Sequence, residues 1–264
     1  MSLLPKLIRA VVPGEIQAPP NVMKGLLVRT GYYKLRTGLA AHGLPVPDAH
    51  LYRPLFSPWD GDPDFEKDYQ AIKQHTLCSR DRCYILKTSL SQALKNAGDV
   101  IECGVFRGGT ALLAARVINS DPVARLEKKL HLFDTFRGMP ASKGGIDRLQ
   151  AGDLGTTSEA RVAALLKDFP FVQIHAGLIP ATFAGLDLNQ VCWAHVDVDI
   201  YQSVHDCIEF IFPKLTPGGF MLFDDYGFPS CPGARRAVDE AFANRPEVPI
   251  CLPTGQCLIV KLAS

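Results

Sequence analysis

From Asp99 to the carboxyl end, short apolar runs alternate with segments of helical periodicity, and two of those runs stop on paired acids. Asp197 and Asp199 follow the run Val191-Cys-Trp-Ala-His-Val196, and Asp224 and Asp225 follow Gly219-Phe-Met-Leu-Phe223. Strands this apolar suit a sheet covered on both faces. Sheets of that kind gather ligands in the crevice beyond the carboxyl ends of their strands. Several carboxylates converging there repel one another unless a cation lies between them. Ligation by oxygen alone suits a hard divalent ion, and Mg²⁺ is the expectation.

The alternation predicts the architecture. Val100–Phe106 reads as the first strand, followed by a helix over Thr110–Ile118. Leu130–Phe133 is the second strand, and Phe171–His175 the third, preceded by a helix over Ser158–Lys167. Val191–Val196 is the fourth, with a helix over Val204–Phe212, and Phe220–Phe223 the fifth, with a helix over Gly233–Phe242. Pro249–Leu252 and Gln256–Leu262 flank the turn Pro253-Thr254-Gly255, which is too short for anything but an antiparallel hairpin. The expected fold is α/β: a doubly wound, seven-stranded sheet, mostly parallel, ending in an antiparallel pair. Asp64 to Asn96 reads as helical, with Leu77, Tyr84, Ile85, Leu86, Leu90 and Leu94 as its apolar positions. Residues 1–65 are rich in proline and glycine and read as an N-terminal arm or cap, with one helical segment over Val22–Leu39. That arm is expected to pack on the main domain, 66–264, or on a second copy of the chain. Residues 138–157 hold Gly144, Gly145, Gly152 and Gly155 beside a strand end and read as a mobile lid.

Composition narrows the function classes. The chain has 264 residues with a formal charge of +1, which gives no electrostatic case for nucleic acid or an anionic membrane. No apolar run approaches the ~20 residues of a membrane helix, and the first residues lack a signal-peptide core. Eight cysteines include no Cys-x-x-Cys pair and read as buried free thiols in a reducing cytoplasm.

The segment Ile101-Glu-Cys-Gly-Val-Phe-Arg-Gly-Gly-Thr110 leads from a strand into a helix through a glycine turn. Gly104, Gly108 and Gly109 allow the backbone to approach a ligand closely. Phe106 stands where a dinucleotide fingerprint has its second glycine, leaving less room for a pyrophosphate. Glu102 is expected to attract a cationic ligand group. Asp134 ends the second strand, where an acid in nucleotide-binding sheets accepts from the ribose hydroxyls. Phe136 is placed to lie against a purine ring and Gly177 to flank it. The missing central glycine and the terminal hairpin favour S-adenosylmethionine over NAD. His195 lies on the Asp197 face of the fourth strand and reads as a hydrogen-bonded core residue, as does His175.

These segments together resemble the macrocin O-methyltransferase family. The likeness is carried by Ile101 to Thr110, by Leu132-Phe-Asp-Thr-Phe-Arg-Gly-Met-Pro140, by His195-Val-Asp-Val-Asp-Ile-Tyr201, and by Pro217-Gly-Gly-Phe-Met-Leu-Phe-Asp-Asp-Tyr-Gly227. It spans roughly Leu77 to Val260. The resemblance implies a class I, Rossmann-like methyltransferase domain that transfers methyl from S-adenosylmethionine, with Mg²⁺, to a sugar hydroxyl of an antibiotic glycoside. It implies Asp197, Asp224 and Asp225 as metal ligands and Asp199 as the general base. Glu102, Gly104, Phe106, Gly108, Gly109, Thr110, Asp134, Phe136 and Gly177 are the expected cofactor-binding set, read from the segments themselves. The competing readings are a catechol-type phenolic O-methyltransferase, a metal-dependent phosphoester hydrolase, and a noncatalytic binding protein that kept the fold.

Overall fold

The computed structural model describes residues 58–141 and 145–263. The chain divides into two units, Met1–Asp60 and Gly61–Ser264. Nearly all of the first, with the helix expected over Val22–Leu39, lies outside the described residues. The sheet belongs to the second.

Two helices precede the sheet. α1 (Pro63–Ile72) starts where Asp62 accepts a hydrogen bond from the Phe65 N–H at 2.9 Å and Pro63 presets the first turn. α2 (Arg80–Ala93) follows after a seven-residue connection, 73–79, so the helical stretch read from Asp64 to Asn96 is two helices. The sheet consists of β1 (Asp99–Cys103), β2 (Leu130–Asp134), β3 (Val172–Ala176), β4 (Val191–Val196), β5 (Leu215–Phe223), β6 (Ile250–Cys251) and β7 (Cys257–Val260). The intervening helices are α3 (Gly109–Ser120), the single turn α4 (Ala124–Glu127), α5 (Glu159–Leu165), α6 (Tyr201–Ile211) and α7 (Pro232–Phe242).

The strand order is β3-β2-β1-β4-β5-β7-β6. β1 to β5 are parallel, and β7 lies antiparallel to both β5 and β6. The doubly wound sheet with its antiparallel ending is therefore as expected. The order reverses between β1 and β4, and the crevice of such a sheet opens at that switch point.

All six residues of β4 are buried, and they feed two separate layers. Ala194 and Val196 join Val204, Ile208, Ala237 and Val238 in the core beneath α6 and α7. Trp193 and His195 point to the opposite face, where the Trp193 indole donates to Ser89 of α2 at 3.0 Å. That alternation decides which acids can meet beyond the strand ends.

β5 begins five residues earlier than the apolar run suggests. Its pairing with β4 jumps from Val191↔Leu215 to Trp193↔Phe220, so Pro217-Gly218-Gly219 is absorbed as an irregularity inside one strand. α6 also starts early, at Tyr201, because its cap is remote: the Tyr201 N–H donates to Asp147 of the 138–157 segment at 3.1 Å. That segment holds no helix or strand among its described residues. It is tied at its far end, where Arg107 donates to the Thr156 carbonyl at 3.1 Å and Thr157 Oγ1 donates to the Phe106 carbonyl. No helix among the described residues is long and apolar enough to cross a membrane.

At the outer edge of the parallel strands, His131 Nδ1 and His175 Nε2 lie 3.1 Å apart and their rings stack. Burial and the neighbouring His131 lower the His175 pKa below 6.5. A base whose folded pKa is depressed leaves stability untouched above the unfolded value and subtracts from it as the pH falls below about 6.5. Denaturant titrations of His175→Gln and the wild-type chain between pH 7.5 and 5 are therefore expected to show the wild type losing stability relative to the variant on acidification. Parallel curves contradict this.

Candidate active site at the carboxyl ends of the strands

β1 and β4 come together closely at their ends. Gly104 has φ +88°, and a Cβ placed on it would lie 1.7 Å from the Asp197 carbonyl oxygen, so no other residue fits. The Asp197 N–H in turn donates to the Cys103 carbonyl at 2.8 Å. The glycine turn then wraps around the carboxylate that ends β2. Asp134 Oδ2 accepts the Val105 and Phe106 N–H groups at 2.7 and 2.8 Å, and Oδ1 accepts the Phe136 N–H at 2.7 Å. Three of about four acceptor positions on this carboxylate are thereby taken, so the turn and a ribose would share it.

A cavity of about 250 Å³ opens beyond these strand ends. Its wall includes Gly104, Phe106, Thr110, Asp134 and Gly177, together with Asp197, Asp199 and Asp225. Gly177 has φ +148° and closes against Thr182. Four residues expected to face a cofactor stand off this wall. Glu102 is 1% exposed and directs Oε1 at His195 Nδ1, 3.2 Å away, which corrects the expectation that it meets a ligand. Gly108 supplies the left-handed turn before α3 and faces Val162 and Leu165. Gly109 is packed against Thr76 and donates to the His75 carbonyl at 3.1 Å. Phe136 is buried, and its contribution is the backbone N–H on Asp134.

The four strand-end acids fall into two groups among the described residues. Asp197, Asp224 and His195 each bring a ligand atom within 4.8 Å of the others, and Asp199, Asp225 and Cys231 do the same. Adjacent residues of an extended strand point to opposite faces. Beyond the end of β5, Asp224 meets Arg82 of α2 while Asp225 accepts from the Asp199 N–H, and the expected metal triple is divided between the groups. Asp199 sits at φ +58°, with its N–H donating to Asp225 Oδ2 at 3.0 Å and its Oδ1 3.5 Å from Cys231 Sγ. A left-handed aspartate is an uncommon backbone state, held here by that hydrogen bond.

Asp224 is fully buried and bears the heaviest set of contacts. Gln256 Nε2 donates to Oδ1 at 2.8 Å, His195 Nε2 lies 3.5 Å from the same oxygen, and Arg82 ion-pairs with Oδ2. Arg82 comes from α2, lines the cavity, and lies over the Phe228 ring at 5.0 Å. Nothing in the helical pattern of Arg80-Asp-Arg-Cys-Tyr distinguishes this arginine from a surface charge. Cys78, which puts Sγ 3.7 Å from Asp224 Oδ1, is equally hidden among the apolar residues of its segment.

Charge is unevenly shared. Burial raises the Asp197 carboxyl well above the ordinary 3.8, and the charges of Asp224 and Asp225 add to it. Burial and the charges of Asp199 and Asp224 do the same to Asp225, and burial raises Asp199. Burial also acts against Asp224, but His195 and Arg82 outweigh it and hold that carboxyl low. His195 is raised well above 6.5 because Asp224 and Glu102 overcome its burial. Among these acids only Asp224 keeps its full charge cheaply; the others lack positive charge, which is the condition a divalent ion would relieve.

A mostly parallel seven-stranded sheet closed by an antiparallel pair, with a glycine turn folded around the acid that ends β2, defines the class I S-adenosylmethionine-dependent methyltransferases. The family model for macrocin O-methyltransferase, TylF, matches residues 66–250, and the chain belongs to that family. It is 27% identical over 194 residues to 8-demethyl-8-(2,3-dimethoxy-alpha-L-rhamnosyl)-tetracenomycin-C 4'-O-methyltransferase of Streptomyces olivaceus, covering 66% of this chain and 72% of that one. It is 27% identical over 190 residues to mycinamicin III 3''-O-methyltransferase of Micromonospora griseorubida, with the same coverage. Among solved structures, the O-methyltransferase NovP superposes with a TM-score of 0.63 at 23% identity, covering 72% of this chain and 83% of that chain. The calicheamicin methyltransferase CalS11 gives 0.57 at 19% identity, over 94% and 98%. These two share the fold.

Breaking the Arg82–Asp224 pair tests the charge arrangement. Arg82→Met leaves Asp224 buried with too little compensation, and removing one partner of a buried pair costs about 3–5 kcal/mol. Denaturant unfolding of the metal-free protein at pH 7.5 is expected to show a loss of that order. A change under about 1 kcal/mol contradicts the pairing.

Proposed function

We propose that this O-methyltransferase acts on a hydroxyl of a sugar carried by a natural product, with a divalent ion held at the strand-end acids. The sugar is supported by the activities of the curated relatives, which methylate the tetracenomycin rhamnosyl group and mycinamicin III. The observation that carries the reading is that Asp197, Asp199 and Asp225 line one cavity with Asp134, while Asp224 is grouped with Asp197 beside it. The donor set fits a divalent cation, because burial and the neighbouring Asp224 charge both push the Asp197 and Asp225 carboxyls above their ordinary value.

S-adenosylmethionine, when bound, supplies a methyl group on an electrophilic sulfonium. Asp197 and Asp224, which fall in one group, would hold a divalent ion, and the chemistry it would supply there is Lewis acidity towards the acceptor hydroxyl. The chain's own residues do the rest. Asp134 accepts from the ribose while the Val105 and Phe106 N–H groups hold it still. Asp199, on the cavity wall and fixed by its hydrogen bond to Asp225, takes the hydroxyl proton as the oxygen attacks. Its raised pKa makes it a stronger base than an exposed carboxylate. The proton ends on Asp199, the methyl group on the acceptor oxygen, and the sulfur leaves as a neutral thioether. Alignment of oxygen, methyl carbon and sulfur supplies most of the remaining acceleration.

The mouth of the cavity is apolar. Leu77 and Leu178 line it at 67% and 53% exposure, and Leu149 and Leu154 join them from the 138–157 segment. Such a rim suits an acceptor whose sugar is attached to an apolar scaffold better than a free sugar. A catechol would present the same pair of vicinal oxygens to the acids and remains the second reading on that geometry alone. Family membership sets aside the phosphoester hydrolase.

Asp199→Asn is expected to lower turnover about 10²- to 10⁴-fold, with calorimetric affinity for S-adenosylhomocysteine within a factor of about two of the wild type. Methyl transfer from labelled S-adenosylmethionine to a panel of macrolide and aromatic glycosides against simple catechols reads out the acceptor class. Undiminished turnover in the variant, or transfer to catechols alone, overturns the respective part.

A further inference from the structure

The sequence reads His195 as a hydrogen-bonded core residue, and the structure leaves half of its ring without a core residue's partner. The ring is fully buried on β4. Nδ1 lies 3.2 Å from Glu102 Oε1, its register partner on β1. Nε2 has no aligned hydrogen-bond partner, and its nearest acid oxygen is Asp224 Oδ1 at 3.5 Å. Leaving a buried ring nitrogen unpaired is unfavourable. Nε2 is aimed into the Asp197–Asp224 group, where the ligand atoms of all three residues lie within 4.8 Å of one another. Ligands about 2.1 Å from a common ion stand roughly 3–4 Å apart, so a small contraction suffices.

We propose that His195 is itself a ligand of the divalent ion, through Nε2, in a mixed nitrogen–oxygen centre with Asp197 and Asp224, and that Glu102 is the residue that positions its ring. This rests on the metal reading above and changes its chemistry. A metal-bound imidazole commonly donates its other N–H to a carboxylate, which fixes ring and tautomer. Glu102 is that carboxylate, and the role explains a buried acid that the cofactor cavity leaves unused. Gln256 and Arg82 grip Asp224 from the sides and hold its carboxylate towards the ring. An imidazole among carboxylates suits Zn²⁺ better than Mg²⁺, which prefers oxygen alone, while Mn²⁺ serves as a spectroscopic probe of the carboxylate ligands and of any nitrogen beside them.

The test is pulsed electron paramagnetic resonance of the full chain loaded with Mn²⁺, which detects a directly bonded ¹⁴N without any turnover. The wild type is expected to show imidazole nitrogen coupling. His195→Gln is expected to lose the coupling and bind Mn²⁺ at least about tenfold more weakly, while Glu102→Gln keeps the coupling and weakens binding about 10- to 100-fold. Mn²⁺ bound to the wild type with no nitrogen coupling overturns the proposal and leaves an oxygen-only ion site standing. No bound Mn²⁺ at millimolar concentration overturns both. The wild-type spectrum decides even if either buried variant fails to fold.

Discussion

Negative charge buried beyond the ends of β4 and β5 sets the terms for the rest of the molecule. Asp224 is fully buried and Asp225 nearly so, with Asp197 and Asp199 beside them. A carboxylate in such a place must be neutralised, hydrogen-bonded or paired. All three devices are present: burial and like charge favour protonation at Asp197 and Asp225, the Asp199 N–H and Gln256 donate to Asp225 and Asp224, and Arg82 pairs with Asp224. A methyltransferase gains from the tension. An acid kept short of positive charge in a semi-enclosed cavity is ready both to hold a cation and to accept a proton.

The arrangement of helices follows from that need. α2 delivers Arg82 to one side of the strand ends, and the start of α7 delivers Cys231 to the other. The Glu102–His195 contact joins β1 to β4 beneath the site, so the acids stand on a buried polar row inside an otherwise apolar sheet. Fully satisfied polar networks of this kind fix a unique arrangement, and two unpartnered atoms in this row, Glu102 Oε2 and His195 Nε2, mark where it is incomplete.

The fold is legible in the sequence because its signals are local. The β4 run, the glycine turn at Gly104 and the Pro253-Thr254-Gly255 hairpin each declare themselves within ten residues. The acids at positions 197, 199, 224 and 225 are legible for the same reason, since each pair closes a strand. Their division into two groups is not, because it turns on which face each acid takes and on the left-handed backbone of Asp199. Contacts between distant segments are hidden altogether. Arg82 reaches Asp224 across 142 residues, and Asp147 caps α6 across 54. Glu102 reads as facing a ligand because a charged residue in a strand next to a glycine turn usually does. Its true partner, His195, lies 93 positions away, and only the register of β1 on β4 brings the two together.

The central claim is that the acids beyond β4 and β5 hold one divalent ion beside the nucleoside crevice. An anomalous-difference map from crystals grown with Mn²⁺ and S-adenosylhomocysteine tests it most directly. The account predicts a peak bonded to Asp197 and Asp224, on the β4 and β5 side of the cavity that also contains the nucleoside. Ordered Asp197 and Asp224 side chains with Arg82 still in place, and no anomalous peak near them at saturating Mn²⁺, would contradict it.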